Sequence, residues 1–483
     1  MKKTISITTI MKILCILSML GILVVYDNVG ATQYINQSTI WISSVLTAIV
    51  YLIIVDYKRN NNPLLLVLAW WTIFFILIRV ITLNYTDFSV CLSRSGANSS
   101  TINKSLIYII LGTIVLWWSI RIHGKINDGR GNLTVNYKPT YVKNALIIYW
   151  IAFFINVIAE YSLPLAGLAS IIRNFILNIF DLLYLLVAYL ILVWNKLSKK
   201  DKTVTLISLL AFFVFVTLGG SRSGLFSIAK MLFFICLVLG FIKFKRVYLY
   251  IIVAIAPLFL FFFLFSTYLR QMNMWDAPTR EKIEASSAMM EKSKGLETRV
   301  LLGPVFDRIG FLDYATEMVT KKDHFRKIVN ISSELKSVVD NAISPGFDIF
   351  DAPKISNMIS NSYEFGESVV LSKTANSEED YHSDELTIFG ESYLLFGVPL
   401  FLVFLFFAGC YFGFLYKKYS KIRNETGVFL MSICVYLFEV FLSSYGLDWL
   451  VLNIVCFLLT YFIFKGFVFR RNIKNRTALV VNC

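Results

Sequence analysis

Residues 63–83 read PLLLVLAWWTIFFILIRVITL, an apolar run broken by one charge, Arg79. As a helix, rising 1.5 Å per residue, that run spans the roughly 30 Å hydrocarbon core of a bilayer. Similar runs occupy residues 10–26, 39–55, 105–120, 145–160, 175–194, 203–218, 225–242, 247–267, 389–415, 426–443 and 449–464. Together they predict an all-α integral membrane protein with about 12 transmembrane helices. The whole chain agrees: of 483 residues, 57% are hydrophobic and 16% charged, with mean hydropathy +0.67. A soluble domain carries about a quarter charged residues, so a soluble globular enzyme is excluded.

The net charge of +15 is a question of placement. With Lys2 and Lys3 in the cytoplasm and twelve spans alternating, the cytoplasmic segments, with Lys12 at the head of the first run, carry 26 Lys and Arg, and the five short outer loops carry 4. This asymmetry is the positive-inside pattern and predicts both termini inside. The basic tail Arg470, Arg471, Lys474 and Arg476 then reads as orientation and contact with anionic lipid. No cytoplasmic loop is long enough to fold a basic surface for nucleic acid. The first run resembles a signal peptide, but Asp27 and Asn28 beside Gly30-Ala31 and the lack of a small-x-small pattern favour a retained helix.

The chain therefore divides into helices one to nine (1–267), a large outer loop (268–388) and helices ten to twelve with a cytoplasmic tail (389–483). The loop holds 14 Lys and Arg against 20 Asp and Glu, so it is acidic. Loops of that size are usually functional. Leu302, Val305, Ile309, Leu312, Thr316 and Val319 recur at helical spacing, predicting an amphipathic helix over 298–320 that lies on the membrane surface or caps the bundle. Of the seven cysteines only Cys91 falls outside, so no intrachain disulfide framework is expected there, and no metal-ligand spacing occurs. No GxxxxGK[ST] and no strand-linked GxGxxG is present. An enzyme of this kind works in or outside the membrane on a substrate already activated, with no cofactor.

Ionisable groups within spans are costly and functional by default. Arg79, Glu160, Asp181, Lys230 and Glu439 lie in or at the edge of spans. Alternation puts all of them in the outer half, Arg79 and Glu439 about 6 Å from the outer end. Snorkelling explains any one of them; their convergence beside the large loop points to a polar site at the outer leaflet. A proton-coupled transporter would place such charges nearer mid-membrane.

Several short motifs in the second half resemble the bacterial O-antigen and polysaccharide repeat-unit polymerases of the Wzy type. Gly219-Gly220-Ser221-Arg222-Ser223-Gly224 resembles the family's arginine-containing turn ahead of a helix. Arg308, within Asp307-Arg308-Ile309-Gly310-Phe311-Leu312-Asp313, resembles the arginine that opens the loop helix. Pro345, Pro353 and Lys354 resemble the Pro-rich stretch that follows, with Gly346 where the family's form bears arginine. Phe389-Gly390-Glu391-Ser392-Tyr393 with Phe396-Gly397 resembles the glycine-glutamate segment that closes the loop. The resemblance spans residues 200–415.

It implies a glycosyltransferase of the bacterial inner membrane, acting in lipopolysaccharide biosynthesis. Such an enzyme moves a growing glycan from undecaprenyl diphosphate onto a newly flipped lipid-linked repeat unit at the periplasmic face. Its partners would be that lipid-linked oligosaccharide, membrane lipid, a chain-length regulator and a flippase, and no nucleic acid. The diphosphate leaving group supplies the activation. Arginine forks would stabilise its developing charge: Arg222, Arg270 and Arg308 first, then Arg299, with Lys354 and Tyr393 also in the substrate-binding set. For Arg270 and Arg299, surface pairing with loop carboxylates is an equal reading. A carboxylate or histidine takes the acceptor's proton, with Glu391 the first candidate and Asp384 and His382 behind it. Glu391 reads equally as a structural group favouring the start of helix ten. The rivals are an O-antigen ligase, which also has a large outer loop, and a lipid-linked oligosaccharide flippase, which leaves a 120-residue loop unexplained.

Overall fold

The computed structural model describes residues 4–83, 90–123, 138–162, 181–218, 222–239, 243–245, 310–343, 349–362, 386–422, 425–443 and 446–468. Nearly all of it is helical. The helices are α1 (Ile7–Val29), α2 (Gln37–Asn60), α3 (Pro63–Thr82), α4 (Val90–Ser95), α5 (Ser99–Ile122), α6 (Pro139–Ser162), α7 (Asp181–Leu192), α8 (Lys199–Leu218) and α9 (Arg222–Val238). After these come α10 (Phe311–Thr320), α11 (Lys322–Ile328), α12 (Ile331–Val338), α13 (Ile355–Asn361), α14 (Ile388–Phe396), α15 (Leu400–Ser420), α16 (Glu425–Leu442) and α17 (Leu447–Ile463). Among the described residues the departure from an all-α chain is a short antiparallel pair, β1 (Thr4–Ser6) with β2 (Lys243–Lys245).

Seven described helices are long and apolar enough to cross a membrane: Ile7–Asn28, Gln37–Asn60, Pro63–Thr82, Ser99–Ile122, Pro139–Ile158, Leu400–Ser420 and Leu450–Val468. Thr426–Leu442 is a shorter apolar helix beside them. The expected run at 247–267 lies outside the described residues, and those at 175–194 and 225–242 are described only in part.

The quoted stretch 63–83 becomes the centre of the bundle. Asn62 caps α3 with Pro63 at its first position, a preorganised start. Residues 64–69 and Trp71 have no exposed surface, because α2, α5 and α16 surround them. A π-helical turn, Ile73–Leu77, interrupts α3 before Arg79. The outer helices instead turn apolar stripes outward at three and four residue spacing: Ile13, Leu17 and Leu20 on α1; Ile151, Phe154 and Ile158 on α6; Phe407, Tyr411 and Phe414 on α15. Exposed apolar rows on so many helices fit a lipid solvent, where there is no cost to facing outward.

Contacts between helix ends define two poles. At one, Trp117 Nε1 donates to Asp56 (2.9 Å), Lys417 Nζ donates to the His123 carbonyl (2.8 Å) and Asn144 donates to the Phe467 carbonyl (3.0 Å). Exposed Lys58, Arg59, Lys143, Lys417 and Lys418 crowd this basic pole. At the opposite pole Asn36 Nδ2 donates to Ser99 (3.2 Å), and α10 to α14 fold over the bundle. Asn36, Asn98 and Asn330 there cap α2, α5 and α12, each with a reciprocal Thr or Ser at the third helical position.

Expected helix ten is two helices. Gly397, at φ +67°, ends α14, and Pro399, with no N–H to donate, stands at the head of α15. The break lets α14 lie wholly inside, against α10, while α15 turns away to span. Of the amphipathic helix expected over 298–320, the stretch Phe311–Thr320 is observed as a helix that starts after Gly310; residues 298–309 lie outside the described residues. Phe311, Leu312, Ala315 and Met318 are buried in the bundle, so α10 caps it and does not float on its surface.

Candidate functional site

At the loop pole, charged side chains sit in an apolar surround, held in pairs. Asp313 and Glu317 lie one turn apart on α10 and both point into the bundle. Arg79 reaches Asp313 from α3 in a fork, with Nε 3.0 and 3.1 Å from the two carboxylate oxygens and Nη2 2.5 Å from Oδ2. Both side chains are at most 4% exposed. Arg94 on α4 makes a second fork to Glu317, at 2.6 and 2.9 Å. Two parallel N–H to oxygen bonds per pair suit the planar guanidinium. Aromatic contacts complete the seat, with Phe311 stacked on Trp71 (5.7 Å between centroids) and edge-on to Phe75 (4.6 Å).

Lys230 on α9 meets Glu439 on α16 at 2.7 Å, and Trp71 Nε1 donates to Ser443 at 2.7 Å, one turn beyond Glu439. Three of the five intramembrane charges read from the sequence are therefore in ion pairs that join helices. Glu160 and Asp181 stand on α6 and α7, with side chains outside the described residues.

Glu391 belongs to a different group, of three acids. Thr387 caps α14 by accepting from Gly390 N–H (3.1 Å), which places Glu391 in the first turn, 1% exposed. Its Oε1 accepts the backbone N–H of Leu447, the first residue of α17, at 3.0 Å. Glu334 Oε1, from α12, accepts the same N–H at 3.2 Å. The next residue, Asp448, is also buried and accepts from Ser337 at 3.3 Å. The positive end of the α17 dipole explains the gathering. Gly446, at φ +137°, makes the turn that delivers it; a side chain there would meet Asp448 Oδ1 at 2.5 Å. Burial, and then the charge of Asp448, push the Glu334 carboxyl up to about 8, against the pull of the Leu447 N–H. Glu391 borders a closed gap between α14, α15 and α17, lined by Ile388, Ser392, Leu395, Phe396, Phe404 and Leu447 and too tight to admit a water molecule.

Of the other candidate residues, Tyr393 is buried on α14, stacked on Tyr108 at 4.7 Å with Lys322 Nζ 5.4 Å above its ring. Lys354 stands partly exposed at the head of α13. Arg222 is the first residue of α9, and its side chain lies outside the described residues, as do Arg270, Arg299, Arg308, His382 and Asp384 entirely. The structure thus brings together Glu391, Glu334 and Asp448. Sequence reading named only the first of them, since neither Glu334 nor Asp448 sits in a motif. Asp313 and Glu317 did carry a signal, two acids one turn apart in an otherwise apolar helix. Among the described residues no group of three His, Cys, Asp or Glu side chains has metal-binding geometry.

Fold and site together define a multi-pass helical membrane protein with a buried charged layer at one pole. No protein-family model, no curated protein and no solved structure matches the chain.

Proposed function

We propose that this protein is a polymerase of lipid-linked glycan repeat units, a membrane glycosyltransferase of the Wzy type. In this reading it has twelve spans, lies in the bacterial inner membrane with the basic pole in the cytoplasm, and works at the opposite, periplasmic face. The observation that supports it best is the position of Glu391. The glycine-glutamate segment carries a buried carboxylate to a closed gap between α14, α15 and α17, at the pole where the loop helices α10 to α13 fold over the bundle.

The chemistry has two parts. As the bond from the anomeric carbon to the undecaprenyl diphosphate oxygen breaks, its electron pair moves onto that oxygen, and Arg222, Arg270 and Arg308, with Arg299, balance the charge. Glu391 accepts the hydroxyl proton of the acceptor sugar as its oxygen bonds to the same carbon. Because Glu391 is 1% exposed, the acceptor reaches it when α14 and the facing Phe404 of α15 part.

Arg222→Ala is expected to abolish long-chain polymer at normal protein level, a loss of about 10²–10³ in rate for one charge-stabilising donor. Banding of lipid-linked or lipopolysaccharide glycan on gels reads the result, and normal chain lengths would refute the role. Glu391→Gln keeps an oxygen for the Leu447 N–H, so the fold is retained while polymerisation falls about 10²–10⁴-fold. Wild-type ladders from this variant would remove Glu391 as the base. In a deletion strain, single repeat units on the acceptor fit a polymerase, whereas unattached polymer would indicate a ligase.

A further inference from the structure

The carboxylates around Leu447 pose a problem of charge. Glu334 comes from the outer segment and Glu391 from α14, yet both accept one N–H, at 3.2 and 3.0 Å, and Asp448 follows in the chain. Glu334 is 2% exposed, and its second oxygen, Oε2, is buried with no hydrogen-bond partner among the described residues. An ionised oxygen in that position forfeits its hydration and gains no donor in return, a strongly unfavourable state. Protonation of Glu334 removes both the buried charge and its repulsion with its neighbours.

We propose that Glu334 and Glu391 form a proton-binding site that clamps the outer segment onto α17: with the proton on Glu334, α12 is docked, and loss of the proton releases it. Docking here joins three elements that are remote in sequence, so one proton governs how α12 is held against α14 and α17. Groups facing Glu334 from the packed elements are Asp448 on α17 and Glu391 on α14. Asp340, in the turn Val339–Ile343, is occupied by the N–H groups of Ile349, Phe350 and Ala352. Lys354 heads α13, and Lys336 on α12 itself is exposed. The sign follows from the two states. Undocked, Glu334 titrates near its ordinary 4.5, and docked near 8, so the docked form binds more protons between those values. Docking is therefore tightest in acid, weakens as pH rises through that window, and levels off above about 8.

Hydrogen exchange of the full chain in lipid nanodiscs tests this, over about pH 5.5 to 9 and corrected for intrinsic chemical exchange. The α12 amides should open roughly tenfold more per pH unit up to the plateau, the slope of one linked proton, with α5 as an unmoved reference. Glu334→Gln, uncharged at every pH, should be protected throughout and lose the slope. Asp448→Asn should shift the plateau to lower pH by removing a neighbouring charge. The inference is overturned if α12 tracks α5 across the range, if Glu334→Gln keeps the slope, or if that variant is unprotected at every pH. Should Glu334→Gln fail to fold, the wild-type slope and the Asp448→Asn shift decide the matter.

Discussion

Replacing Arg79 with Met is expected to destabilise the protein by about 3–5 kcal/mol, the cost of leaving a buried carboxylate without its cation. Arg79 holds Asp313 through both carboxylate oxygens and also donates to Thr82 Oγ1 at 3.2 Å. Both members of the pair are nearly free of solvent, so water cannot take over the vacated bonds. The charge of Asp313 would then sit beside Phe311 and the α3 helix, and α10 would leave its seat. The pair is not expected to be strongly stabilising in net terms, because desolvation of both ions offsets their attraction. The decisive comparison is therefore the double variant Arg79→Met with Asp313→Leu, which should recover most of the loss. Thermal unfolding of the detergent-solubilised protein, followed by size-exclusion chromatography, gives the four corners of the cycle. If the double variant is as unstable as the single one, the pair is not what seats α10. Arg94→Ala is the milder case, since its side chain is 20% exposed and water reaches the fork to Glu317.

Gly409→Leu should be as damaging, through packing. The α5–α15 contact is the most extensive among the described helices, and glycines line it. A Cβ at Gly409 would collide with Ser119 Oγ and lie 3.1 Å from Ser119 Cβ; at Gly112 it would lie 2.9 Å from Leu405 of α15, and 2.6 Å from the Phe389 ring of α14; at Gly413, 2.6 Å from His123. Without a hydrophobic force between helices in lipid, close backbone approach supplies much of the association energy. A leucine at Gly409 must push the helices apart, costing about 3 kcal/mol or more. Gly409→Ala should be milder, about 1 kcal/mol, because the Ser119 hydroxyl can rotate away. Gly466→Ala, with nothing within 4 Å, serves as the neutral control. Equal melting of Gly409→Leu and the control would show that this seam does not hold the bundle. The two experiments are independent, since one removes a charge at the loop pole and the other adds bulk where α5 meets α15.

The stretch 63–83 shows how far the chain could be read directly. Its length and hydropathy announced a spanning helix, because the requirement that every backbone group be satisfied inside lipid leaves few alternatives. That the same helix lies at the centre of the bundle, with no side chain from Leu64 to Ala69 exposed, was not legible: a helix apolar all round is the same string whether it faces lipid or neighbours. The break in the run 389–415 was partly written in Gly397 and Pro399. Which side of the break would be buried depended on α10.

Sequence by itself determined the membrane class, the positions of the apolar runs that the described residues show as seven helices long enough to cross a membrane, and the candidacy of Glu391. These rest on local quantities, run length and the position of charge, that survive without knowledge of any contact. Tertiary structure alone decided what the polar residues do. Arg79 finds Asp313 across more than two hundred residues, Lys230 finds Glu439, and Glu334 meets Glu391 and Asp448 at the start of α17. A buried charge takes its state from whichever partner the fold brings within about 4 Å, and no periodicity in the chain records that distance.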